Sequence, residues 1–319
     1  MLSFRSPTEV VWKTDAMASH VQVRLTCTEA TAAVDQALSE AMTVFHDVDR
    51  TCTRFDTTSD LMRANAEPDE WVAVAPYCFD ALVEAHAAYR RTGGRFDPRV
   101  LTDLVRLGYD RSLRFGPPSA RSEEALTPRS ALPPWHPEFR RLTREVRLGP
   151  LPVDLGGIGK GLAVRWAADK LRDIDGGFLI DAGGDCACRG YSADGGPWQI
   201  GVEDPHDPKR NLAVLSVSDV AVATSSVRIR QWQIDGHEAH HLIDPITGQP
   251  GGAGLLAVTV LDRDPASAEV WSKALFLTGR RGVRTSAEYP GIAALWVDVD
   301  GAVAWSSAAA DHIAWPVAS

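Results

Sequence analysis

The sequence predicts an α+β protein with mixed sheets and packed helices in a single compact body. Period-2 and period-3.6 apolar patterns interleave along the chain. They lack the regular strand–helix alternation of a βαβ array, and no internal repeat is visible, which disfavours a Rossmann sheet. At 319 residues with 45% hydrophobic and 24% charged residues, the chain can bury a sizeable core, and neither disorder nor a coiled coil is supported.

Residues 1–16 read as an N-terminal segment, and one domain spans 17–310. A strand is expected over Val21–Thr26, followed by a long helix with Val34, Leu38, Met42 and Phe45 on one stripe and Thr28 as its N-cap. A second helix starts at Pro76, carries Phe79, Leu82, Val83 and His86 on its apolar face, and stops at Arg90-Arg91 and Gly93-Gly94. Seven prolines (117, 118, 128, 133, 134, 137 and 150) make residues 115–150 a long surface connection. A helix from Ile158 to about Asp173 comes next. Strands are expected at 178–181, 198–202, 212–217, 227–233 and 256–261, then a helix over 267–278 and closing strands at 293–299 and 302–305.

Thirty-three basic and 42 acidic residues give a net charge of -9, which argues against nucleic-acid or anionic-membrane partners. Five cysteines form no metal-binding or redox spacing and read as reduced thiols. The first 20 residues lack an apolar stretch and no 18-residue apolar run follows, so a cytoplasmic protein without a membrane anchor is expected.

Chemistry concentrates in glycine clusters with acidic partners. In Asp154–Gly161 a helix should begin near Ile158, so the glycine amides could cradle phosphate oxygens at the positive end of a helix, with Lys160 adding a point charge. The spacing is not that of a nucleoside-triphosphate loop, and tight turns alone would also explain these glycines. His241 and Asp244 lie three apart in a turn-forming segment, where one could orient or deprotonate the other; a plain surface turn is the alternative. A hydrolase built from Ser225 or Ser226 lacks the Gly-x-Ser-x-Gly elbow.

Taken in order, the motifs resemble the ApbE family of FAD:protein FMN transferases. They are Met17-Ala18-Ser19, Thr53-Arg54-Phe55 with Asn65, Gly94–Pro98, Asp154–Gly161, Ala182–Asp185, Trp198 with Asp204-Pro205, Ala223–Ser225, His241–Gly248, Val258–Val260 and Ala274–Gly279. The resemblance implies a T-fold-like α+β architecture, FAD as donor, a divalent metal, normally Mg2+, and FMN transfer through a phosphoester to a Thr or Ser of a partner flavoprotein. Around FAD it implies Met17, Thr53, Phe55, Asn65, Phe96, Asp97, Asp154, Gly157, Lys160, Gly183, Gly184, Asp185, Thr224, Ser225, His241 and Asp244. Catalysis falls to His241, Asp244 and Lys160, and the metal to Glu269 and Gly159.

Several positions depart from the family pattern. Where the family has Ala-Asp-x-x-x-Thr, with Asp and Thr as metal ligands, this chain has Ala268-Glu269 and Lys273; Arg99 replaces a Thr and Ser226 a Gly. Glu269 can still bind a hard cation, but a lysine ammonium has only donors. Lys273 is then either a solvated helix residue paired with Glu269 or an ammonium filling part of the metal's electrostatic role. The chain carries no acceptor motif for flavin of its own. Two alternatives to transfer remain: a non-catalytic FAD-binding carrier or sensor, and an FAD diphosphatase releasing FMN and AMP.

Overall fold

The first hairpin pairs Thr8–Ala16 (β1) with Ser19–Cys27 (β2) in a computed structural model that describes residues 8–27, 31–109, 132–207, 209–228, 230–234, 237–288 and 291–316. Val21, Val23 and Leu25 alternate into the core along β2. The two-residue turn, Met17-Ala18, is left-handed at both positions (φ 54° and 53°) without a glycine. The described part of the N-terminal segment is thus an edge strand of the main sheet, and the body extends back to Thr8.

Ala32–Cys52 (α1) buries the expected stripe of Val34, Leu38, Met42 and Phe45. Its cap is Thr31, whose hydroxyl accepts from Val34 N at 3.4 Å; Thr28 lies outside the described residues. Asp60–Ala66 (α2) and Val72–Ala73 (β3) lead to Pro76–Arg91 (α3), where proline opens the first turn and Gly94 N closes the end on Tyr89 O. Leu101–Arg106 (α4) follows.

The surface-connection expectation needs correction over 132–150; its residues 115–131 lie outside the described residues. Glu138–Arg140 (β4) and Glu145–Arg147 (β5) form a small sheet with β3, and Trp135 is buried with its indole N–H donating to Leu148 O. Strands of three residues are too short to register as alternation, and prolines mark breaks between elements, not exposure.

Gly159–Lys170 (α5) ends earlier than expected, at the cap Leu171. Then come Phe178–Ala182 (β6), Asp185–Arg189 (β7), Trp198–Glu203 (β8), Asn211–Val217 (β9) and Ala221–Ser226 (β10). Short pairs follow: Gln231–Ile234 (β11) with His237–His240 (β12), and Ile243–Asp244 (β13) with Gln249–Pro250 (β14). Leu255–Asp262 (β15), Pro265–Phe276 (α6), Gly279–Glu288 (α7), Ala293–Asp298 (β16), Val303–Trp305 (β17) and Ile313–Pro316 (β18) complete the fold. Of the expected strand 227–233, only Gln231–Gln233 is strand, at the start of β11; Val227, Arg228 and Arg230 are bends after the end of β10 at Ser226. The real sheet strand, β10, reads Ala-Val-Ala-Thr-Ser-Ser because α6 packs closely on it: Ser225 Oγ lies 2.7 Å from Ser272 Oγ, where a branched apolar side chain would hold the layers apart.

Eight strands in the order β1-β2-β6-β7-β10-β15-β16-β17 make the main sheet, all pairs antiparallel. Helices α1, α5 and α6 cover one face. The other face packs against the sheet β18-β9-β8 through Leu179, Val222 and Leu261 on one side and Trp198, Leu212 and Leu215 on the other. Covered on both faces, β6 is apolar almost throughout. All five cysteines are free and buried. Among the described residues no helix is long and apolar enough to cross a membrane.

Candidate functional site

A cavity of about 360 Å³ opens between the β1–β2 turn, the end of α1, the start of α5 and the segment before β13. Local contacts hold its walls. Asn65 donates Nδ2 to Val153 O and accepts Val153 N, both at 2.8 Å, in the manner of a strand pair, and so fixes the segment carrying Asp154. Met17 N donates to Asp49 Oδ2, which sets the Met17 side chain at the cavity mouth. Gly157 is required by a close approach: a β-carbon there would lie 2.9 Å from Phe96 Cε2.

The expected amide cradle is largely committed within the protein. Gly156 N donates to Asp154, Ile158 N and Gly159 N to Leu155 O, and Gly161 N to Glu269 Oε2. The positive charge at the cavity comes instead from side chains. Lys160, Lys273, Arg54, Arg95 and Arg230 line the cavity against Asp49, Asp97 and Asp154. Asp97 is occupied by the buried guanidinium of Arg99, which binds it through Nε at 3.0 Å and Nη2 at 2.7 Å. Within a chain of net charge -9, this is a locally cationic pocket.

Arg54, singled out by no residue-level argument, is the most informative of these. Its guanidinium carbon lies 4.3 Å from the ring centres of both Phe55 and Tyr109, which are themselves 5.9 Å apart, and Nη1 donates to Tyr109 O at 2.7 Å. Its Nη2 is the one buried side-chain nitrogen or oxygen without a partner among the described residues. Such an orphan donor at a cavity wall is ready for an anionic or carbonyl oxygen. Its signal was present in the motif Thr53-Arg54-Phe55.

Behind Lys160 and Lys273 lies a buried charge cluster. Lys160 pairs with Asp185, and its Nζ is 3.8 Å from Glu269 Oε1; Lys273 Nζ is 3.1 Å from the same oxygen. Glu269 is fully buried. Burial pushes its carboxyl up, but Lys273, Lys160 and the Gly161 N–H outweigh that and hold it below its ordinary value. No group of three metal-ligating side chains occurs among the described residues. These residues do not fit magnesium, because both carboxylates already hold ammonium partners. Gly159, the second expected metal position, is buried at the start of α5 against Met17 Cε.

The expected His241–Asp244 pair is not brought together. His241 lines the cavity with Nδ1 3.4 Å from Arg230 O, whereas Asp244 caps its own turn by accepting from Ile246 N at 2.9 Å. Burial, then the charges of Arg230 and Lys273, hold the His241 imidazole well below its usual pKa, so it is neutral at pH 7. Thr224 bonds Thr259 across the sheet and Ser225 bonds Ser272, and neither lines the cavity. Gly183 and Gly184 form the left-handed β6–β7 turn, where a side chain at Gly183 would strike Ser19. Thr53, Phe55, Phe96 and Asp154 line the cavity.

Comparison with known proteins accords with this geometry. The ApbE family profile matches residues 17–296. A Treponema pallidum FAD:protein FMN transferase is 27% identical, over 92% of this chain and 85% of its own; one from Vibrio cholerae is 29% identical, over 74% and 71%. The crystal structure of an ApbE protein from Thermotoga maritima superposes with a TM-score of 0.81 at 26% identity, covering 96% of this chain and 99% of that one. With its fold, its ordered motifs and this match over most of its length, the chain belongs to the ApbE family.

Proposed function

We propose that this protein is an FAD:protein FMN transferase acting on a hydroxyl of a partner flavoprotein. The observation that carries the reading is the cationic cavity with the orphaned Arg54 Nη2 on its wall, which suits the diphosphate and carbonyl oxygens of FAD. Similarity to transferases from Treponema pallidum and Vibrio cholerae supports it.

In the reaction, the acceptor Thr or Ser oxygen forms a bond to the FMN-side phosphorus and the anhydride P–O bond breaks. AMP leaves with the bridging oxygen, and the hydroxyl proton passes to a base. Lys160, Lys273 and Arg230 neutralise charge on the phosphates. His241 is the cavity-lining base: neutral when the cavity is empty, its basicity rises once the diphosphate offsets Arg230 and Lys273. Asp244 supports this segment through its turn.

Incubating the protein with FAD and an acceptor domain, then weighing the acceptor, tests the reading. A gain equal to one FMN with release of AMP is expected. Free FMN and AMP with an unmodified acceptor would indicate a diphosphatase, and intact bound FAD a carrier; either refutes transfer.

A further inference from the structure

The Lys273 stem runs along α6 to the cavity wall. A β-carbon at Gly157 would lie 3.4 Å from its Cδ and 3.5 Å from its Cε, so the bare glycine leaves the channel through which the stem passes. The side chain is only 15% exposed, which excludes a solvated helix residue. Lys273 lines the cavity with its Nζ 3.1 Å from Glu269 Oε1, while Glu269 Oε2 accepts from Gly161 N at 2.8 Å. Lys160 and Asp185 make the second pair. Two carboxylates and two ammoniums balance, and neither carboxylate is left for a dication, which would also meet a fixed positive charge beside Glu269.

We propose that Lys273, backed by Lys160, is a built-in cation that replaces a divalent metal, so that this chain engages a flavin dinucleotide diphosphate without magnesium. The inference deepens the transferase reading and rests on it for the identity of the ligand. What it adds is that the charge facing the phosphates is covalently part of α6. Unlike a metal, it cannot be removed by a chelator, and it needs no vacant carboxylate.

The test reads binding apart from turnover. FAD is titrated by fluorescence into the unmodified protein in EDTA and again in magnesium chloride, with riboflavin as the diphosphate-free control, and manganese alone is followed by electron paramagnetic resonance. Equal FAD affinities in the two buffers, and no retained manganese, are expected. Lys273→Gln drops the charge and keeps an unbranched side chain with N–H donors, one atom shorter than lysine; it should weaken FAD by roughly tenfold or more in EDTA while leaving riboflavin unchanged, since hydrogen bonds from charged donors are the stronger class. Glu269→Asp with Lys273→Thr should gain manganese retention. FAD binding that requires magnesium would overturn the proposal and leave the flavin reading standing. An unaltered FAD affinity in Lys273→Gln would overturn it too, and failure to bind FAD in either buffer would overturn both. Should Lys273→Gln fail to fold, the buffer comparison and the manganese spectrum on the unmodified chain still decide.

Discussion

Changing Glu269 to Gln removes one charge from the centre of the fold while keeping its shape. The amide oxygen can still accept from Gly161 N, but Lys273 and Lys160 are left to share Asp185. Breaking a buried ion pair from one side costs about 3–5 kcal/mol. The lysines are 15% and 16% exposed, so some water reaches them and the lower end, about 3 kcal/mol, is expected. Against a typical total of about 5–15 kcal/mol, this is a large loss. Adding Lys273→Met removes the stranded cation, and the double variant should recover about 2 kcal/mol of it, since replacing a whole buried pair is often nearly neutral. Urea unfolding followed by tryptophan fluorescence gives both values, provided the slope stays constant. A Glu269→Gln cost under about 1 kcal/mol, or a double variant whose loss is the sum of the singles, would refute the reasoning that these charges are desolvated and interdependent.

Two further outcomes follow from the packing. His240, pushed down to about 4 by burial, and His241 beside it are both neutral when folded, whereas unfolded imidazoles titrate near 6.5. The unfolded state therefore takes up protons first, and stability should fall as pH drops through 6.5, by about 2 kcal/mol near pH 5 for His240 and further in the same direction for His241, read as the urea midpoint against pH; a flat midpoint there would contradict their burial. Gly161→Ala would place a β-carbon 2.5 Å from Pro265 O and 2.8 Å from Ala266 Cα, both backbone of α6, so overpacking should cost about 1–3 kcal/mol and lower the melting temperature. An unchanged melting temperature would mean that α5 and α6 lie farther apart.

What could be read in the sequence was what depends on near neighbours. The α1 stripe and the glycine stop of α3 are local patterns, and both stand in the structure. β10 was hidden because its serines and alanines answer to Ser272 and its neighbours on α6, some 47 residues on in the case of Ser225 and Ser272. The same holds at the site. Thr53, Phe96, Asp154 and His241 line the cavity, yet Asp244, three residues from His241, serves its own turn. Arg54 stands in the motif Thr53-Arg54-Phe55, but its unpartnered nitrogen depends on a long-range neighbour: Tyr109, 55 residues later, takes Nη1 through its carbonyl and lies over the guanidinium, while Nη2 has no partner.

The Met17-Ala18 turn shows how the chain has divided its interests. Two side-chain-bearing residues in the left-handed region cost about 1 kcal/mol or more each, and Asn-Gly would make the same hairpin without that strain. A chain selected for durability alone would have drifted to that pair. Keeping Met17 places a thioether at the cavity mouth against Gly159, on a backbone tied by its own N–H to Asp49. Adaptive change at this corner is therefore confined: Met17 and Ala18 both line the cavity, so relieving the strain of the hairpin at either position also reshapes its wall.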